Sequence, residues 1–268
     1  MFANRISNQS KIMRQITGLA LVLTIAASSH AADIIPLFNG KDFSNFYKFI
    51  KDRGRDSDPK GVFTVKDGVI RISGEEWGCI TTNDEYEDYE LTVEYTWGTK
   101  TWGDREKATR DSGVLVHSIG EDGAYSGIWM NSIEVQIIEG GTGDFIVVGD
   151  GSENFAITCP VSAEKQKDTY VYKPDGEKVT VKSGRINWWG RSPDWADVIG
   201  FRGAKDIEKP GGEWNTLHVV VKDGGIKTTL NGVVVNEAFD AKPSKGRIQI
   251  QSEGAELMVR KVDLKPLK

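Results

Sequence analysis

The sequence predicts a single all-β domain, a sandwich or barrel of antiparallel strands, on three observations. From Pro36 onward no amphipathic helix of useful length occurs. Short alternating runs recur instead, and Asp-Gly or Asn-Gly pairs join them at hairpin spacing. The 268 residues suffice for one large core, and 38 % hydrophobic with 27 % charged residues is a globular composition. That balance excludes a disordered chain and a multi-span membrane protein. There are 34 Lys+Arg against 39 Asp+Glu, a net charge of −5, with no basic stretch able to follow a phosphate backbone, so nucleic acid is not an expected partner.

Residues 1–31 read as a signal peptide and 32–268 as the domain. Arg5, Lys11 and Arg14 form a basic start, Ile16 to Ala27 is an apolar run too short to span a bilayer, and Ser29-His30-Ala31 offers a cleavage site. An amphipathic helix packed on the domain is the competing reading, disfavoured because the run is apolar all round. Removing these three cations takes the net charge from −5 to −8 and leaves an exported, periplasmic or secreted chain with no expected membrane contact. Cys79 and Cys159 are the only cysteines; they suit either a disulfide or two buried thiols.

The elements follow in order. Phe63–Lys66 and Val69–Ile72 flank Asp67-Gly68 as a hairpin; Val219–Lys222, Ile226–Leu230 and Val233–Val235 repeat the device around Asp223-Gly224-Gly225 and Asn231-Gly232. Further strands are expected at Tyr89–Thr96, Gly113–Ser118, Ser132–Ile138, Phe145–Val148, Lys178–Val181, Gly246–Gln251 and Glu256–Leu264. Gly149 to Gly176 and Ser183 to Gly212 are left as long connections, and Thr99 to Asp111 as a charged loop. Loops of this length in a compact β domain line sites or form lids.

Period-two alternation puts Glu134 and Gln136 opposite Ile133, Val135 and Ile137. The same phase places Arg247, Gln249, Gln251 and Glu253 opposite Ile248 and Ile250, and sets His117 with Leu115 against Val114 and Val116. A solvated face normally carries Lys, Glu and Thr. These side chains donate and accept in fixed directions, as sugar hydroxyls require. Glu134 in the middle of an apolar strand must find partners, and Asp144 leaves the Gly140–Asp144 turn beside it. Trp188, Trp189 and Trp195 with Arg191 suit a sugar-stacking wall; the alternative is loop core. His117 is either a proton relay or a structural histidine.

Several segments in order resemble the 3-keto-disaccharide hydrolase domain family: Leu37-Phe38-Asn39-Gly40-Lys41-Asp42, Phe63 to Ile70, Asp88-Tyr89-Glu90-Leu91, Ser112-Gly113-Val114, Ile133 to Ile137, Gly212-Glu213-Trp214-Asn215 and Ile248 to Gly254. The resemblance spans Pro36 to Leu267 and implies a concanavalin A-like jelly roll acting on 3-keto-glycosides. Phe43 and Phe46 stand where the family often has Trp, and Val259-Arg260-Lys261 where it often has Phe-Arg-Asn. The implied chemistry removes the proton on C2 beside the ketone, expels the C1 substituent and adds water back. Glu134 is then the expected base and His117 the relay, with Arg247 or a divalent cation on the enolate oxygen. Substrate contacts are expected from Gln136, Asp144, Trp188, Trp189, Arg191, Trp195, Arg247, Gln249, Gln251 and Glu253. Two other readings stand beside this one: a non-catalytic carbohydrate-binding module, and a retaining β-glucanase-like glycosidase using Glu134 and Glu139.

Overall fold

The computed structural model describes Met1 and residues 33–268; apart from Met1, the expected leader at 1–31 lies outside the described residues. The strands are β1 (Ile35–Pro36), β2 (Phe46–Ile50), β3 (Gly54–Arg55), β4 (Phe63–Lys66), β5 (Val69–Ile72), β6 (Gly78–Thr82), β7 (Tyr89–Thr101), β8 (Asp111–Ile119), β9 (Asn131–Ile138) and β10 (Phe145–Val148). There follow β11 (Ala156–Val161), β12 (Tyr170–Val171), β13 (Glu177–Val181), β14 (Gly184–Asn187), β15 (Asn215–Lys222), β16 (Gly225–Leu230), β17 (Val233–Lys242), β18 (Arg247–Ser252) and β19 (Ala255–Pro266). One 3₁₀ turn at Gly103–Arg105 is the only helical element among the described residues.

Two sheets form. One runs β13-β11-β17-β16-β15-β7-β19-β5-β4, with β1 on β19; the other runs β12-β14-β10-β9-β8-β18-β6-β2-β3. Pairing is antiparallel except between β12 and β14. Leu91, Val93, Leu217 and Val219 of the first sheet share one core with Val114, Ile133, Val135 and Ile250 of the second. The expected two-sheet sandwich is therefore what these residues build. The hairpin turns also have the expected physics: Asp67-Gly68, Asp223-Gly224 and Asn231-Gly232 all sit at positive φ, as a two-residue turn matched to strand twist demands.

The two long connections are shorter than the sequence reading left them. Gly149 to Gly176 contains β11 and β12, and Ser183 to Gly212 begins with β14. Pro160 inside β11 argues against a strand, because proline cannot donate to a ladder. β11 tolerates it because the pairing with β17 covers only Ala156 and Thr158, leaving Pro160 to face β13 alone. Cys79 on β6 and Cys159 on β11 are separate, buried free thiols in different sheets. Among the described residues no helix is long and apolar enough to cross a membrane.

Candidate active site

β9 and β18 turn Glu134, Gln136, Gln249 and Gln251 onto the face of the second sheet directed away from the core. That face is covered rather than open. The Arg105 turn, the Tyr125–Trp129 segment and Arg185 of β14 close over it and leave a cavity of about 230 Å³. Its charged wall is Arg105, Asp111, Glu134, Arg185 and Glu253, and its apolar wall is Tyr125, Trp129, Ile146 and Val148.

Burial sets the chemistry of the three carboxyls. It pushes Glu134 up to about 8, with the neighbouring Asp111 charge adding to the effect and Arg185 and the Gln251 amide opposing it. Asp111 rises to about 6 for the same reason, restrained by Arg105 and Arg185. Glu253 is held well above the usual carboxylate range by burial and by the charges of Asp111 and Glu134. Three close carboxyls buried together cannot all ionise, so protons are shared among them near neutrality.

Gln136 ties the group together. Its Nε2 donates to Asp111 Oδ1 at 2.5 Å and to the Ser112 carbonyl at 3.2 Å, while its Oε1 accepts from Arg185 Nη2 at 3.1 Å. Arg105 donates to Asp111 and lies 3.9 Å from Glu253. Gly113 on β8 makes room: a Cβ there would collide with Glu134 Oε1 and Gln251 Oε1.

Three expected site residues are elsewhere. His117 does not share the face of Glu134. A break in register between Val116 and Ile119, with His117 at φ 55, rotates its ring inward against Tyr89 of the opposite sheet. There Nδ1 donates to the Pro243 carbonyl at 2.7 Å, and burial drives its pKa down to about 4. Arg247 pairs with Ser118 across the same break in β8 and donates to the Thr82 and Asn83 carbonyls, outside the cavity. Gln249 has the right face but is consumed beneath the site, donating to Cys79 and Thr81 and accepting from the Met130 amide.

The tryptophan wall divides. Trp188 is core, 1 % exposed, with its indole N–H on the Gly140 carbonyl. Trp189 donates to the Val234 carbonyl and borders a separate apolar groove. Trp195 stacks under the Arg191 guanidinium at 4.2 Å, and both line a second cavity of about 260 Å³. Arg185 borders both this cavity and the carboxyl one. Asp144 is fully buried beneath them, accepting from Arg185, Arg191 and the Trp188 amide; it organises the wall rather than facing the cavity. Glu139 is also engaged, by Arg110 and the Gly200 amide, and does not line the cavity with Glu134. Among the described residues no group of three or more His, Cys, Asp or Glu is arranged to hold a metal ion.

The sequence reading missed Arg105, Asp111 and Arg185, because each charge alone in a loop or at a strand end looks solvated. Alternation could have placed Asp111 on the Gly113–Leu115 face; Arg185 lies in a strand that went unread.

The family model for the 3-keto-alpha-glucoside-1,2-lyase-like domain matches residues 33–265. The chain belongs to this family. The two-sheet antiparallel sandwich agrees with the fold that the sequence resemblance implied. A crystal structure from Parabacteroides distasonis, provisionally assigned as a glycosyl hydrolase, is 21 % identical over 88 % of this chain and 94 % of its own, with a TM-score of 0.50. A second from the same organism, with the same provisional assignment, is 20 % identical over 88 % and 100 %, at 0.48. A Bacillus licheniformis β-glucanase is 10 % identical over 90 % and 100 %, at 0.43. A search of the curated proteins finds no match.

Proposed function

We propose that this chain is a carbohydrate-active enzyme that cleaves 3-keto-glycosides by base-assisted elimination, with water adding back to give net hydrolysis. The observation that carries this reading is the cavity itself: three proton-sharing carboxyls flanked by Arg105 and Arg185, in a chain of the 3-keto-alpha-glucoside-1,2-lyase-like family. A C2–H beside a ketone needs a strong base kept out of water. A carboxylate raised to about 8 is such a base.

In this reading Glu134 takes the C2 proton and the electron pair moves onto the C3 oxygen as an enolate. Arg105 or Arg185 holds that oxygen by charge and hydrogen bonds. The pair then returns to form the C1=C2 bond as the C1–O bond breaks. Glu253, protonated well above the ordinary carboxylate range, gives the leaving oxygen its proton. Water added across C1=C2 completes the hydrolysis. Glu253 thus replaces His117, and an arginine of the cavity replaces Arg247.

A retaining glycosidase would need Glu134 and Glu139 across one sugar ring, and Glu139 is occupied by Arg110. A binding module would not need three raised carboxyls. We place the enzyme outside the cytoplasm on the leader pattern of residues 1–31; the exported chain should begin at Ala32 on N-terminal sequencing. Turnover of a 3-keto-glucoside beside its unoxidised parent tests the activity: consumption of the keto sugar alone is expected. Cleavage of the parent with an inert keto sugar would favour the glycosidase, and binding of either sugar without turnover would favour the module.

A further inference from the structure

We infer that the cavity beside the carboxyl site, lined by Lys167, Arg185, Arg191, Asn187, Ser192 and Trp195, is a leaving-group subsite selective for an anionic sugar, one bearing a carboxylate or phosphate. The inference rests on the proposed elimination for its name as a leaving-group site. Its charge rests on geometry alone.

Among the described residues three cations border this cavity and no acidic side chain lines it, in a chain whose net charge is −5. Asp144 beneath accepts from both Arg185 and Arg191 and offsets only one of their charges. Lys167 donates to the Trp195 carbonyl at 3.2 Å and makes no ion pair among the described residues. The surplus is therefore about two positive charges, facing a neighbouring cavity that carries three carboxyls. Arg191 is only 7 % exposed, and its guanidinium is fixed between Asp144 and the Trp195 ring, so its orientation costs a ligand little ordering. Lys167 reaches the rim from a two-residue turn closed by Gln166 and Thr169, in which Lys167 and Asp168 both hold positive φ. Two non-glycine residues in that conformation are a held position rather than a relaxed one.

Because Arg185 borders both cavities, a ring leaving the carboxyl site passes directly under the cationic wall. A hydroxyl-rich neutral sugar could stack on Trp195. Only an anion uses the unpaired charges, and each charge-assisted hydrogen bond is worth about 10-fold or more in affinity.

The test compares two 3-keto-disaccharides whose leaving sugar is glucose or glucuronate, using the mature protein and Lys167→Met, and measures binding of free glucuronate, glucose 6-phosphate and glucose by calorimetry. The wild type should favour the glucuronate-leaving substrate by roughly 10-fold in kcat/KM. It should also bind the free acid or the phosphate more tightly than glucose, with affinity falling as salt rises. Lys167→Met should erase most of that preference and weaken the salt-dependent binding of the free anion. Equal rates for the two leaving sugars, or a preference that Lys167→Met leaves intact, would overturn the inference. If no keto-glycoside is turned over, salt-dependent and Lys167-dependent binding of the free anion still upholds the subsite, and its absence refutes it.

Discussion

Glu134→Gln should do two opposite things at once. It keeps the shape and hydrogen-bonding reach of the side chain but removes the base, so turnover of a 3-keto-glucoside should fall about 10²–10⁴-fold. It should also stabilise the fold in alkali. Burial raises Glu134 from its ordinary 4.5 to about 8. The folded state therefore binds a proton that the unfolded chain releases, and the associated stability is complete below pH 4.5 and lost as pH rises through about 8. At 1.36 kcal/mol per unit the full loss has an upper bound of about 5 kcal/mol, and sharing of protons with Asp111 and Glu253 spreads it among the three groups. The glutamine variant escapes its part of that loss. Thermal unfolding at pH 4 and at pH 8.5 would show it: the two proteins converge in acid, and the variant melts several degrees higher in alkali, at roughly 2–4 °C per kcal/mol. A variant with full turnover, or one that melts lower than wild type at pH 8.5, would refute the account of this carboxyl.

Other outcomes follow from the same geometry. For the wild type, kcat/KM should rise with pH to a limb near about 8 as Glu134 ionises; a flat profile from pH 6 to 9 contradicts its role as base. Gly113→Ala puts a methyl against Glu134 and Gln251, so it should cost about 1–3 kcal/mol of stability in denaturant titration and abolish most activity. His117→Asn should lower the melting temperature and leave kcat within a few-fold. Its imidazole is buried neutral, so the wild type should itself lose stability as pH falls from 6.5 toward about 4. Trp188→Ala should cost about 3–5 kcal/mol, whereas Trp195→Ala should chiefly raise KM, which melting and steady-state kinetics together separate.

The fold was legible because its signals are local. Asp67-Gly68 and Asn231-Gly232 dictate hairpins by backbone conformation alone, and alternation through Ile133–Ile137 states which residues are core. Of the strands that escaped notice, β11 carries a proline and β14 reads Gly-Arg-Ile-Asn, with a single apolar residue and so no alternation to register. The site was half legible for a related reason. Glu134, Gln136 and Gln251 keep their phase to the ends of regular strands, so alternation alone puts them together. His117 lies at a register break in β8, where one extra residue reverses the face and no side-chain pattern announces it; Arg247 keeps the phase of its own strand but pairs across that break, and its guanidinium turns to the Thr82 and Asn83 carbonyls. Arg105, Asp111 and Arg185 come from a loop, a strand start and an edge strand, and only the folded chain brings them to one cavity. The tryptophans Trp188, Trp189 and Trp195 are close in sequence, yet the turn from Trp188 to Arg191 sends them into the core, a separate groove and the second cavity respectively.

The central claim is that a buried carboxylate removes the proton on C2 of a sugar already oxidised at C3. Its most direct test is the rate with a 3-keto-glucoside carrying deuterium at C2, run beside the protiated sugar at pH 7 and at pH 8.5. A primary isotope effect on turnover, lost together with activity in Glu134→Gln, is the predicted result. Equal rates for the two isotopologues, together with cleavage of the unoxidised glucoside at a comparable rate, would contradict it.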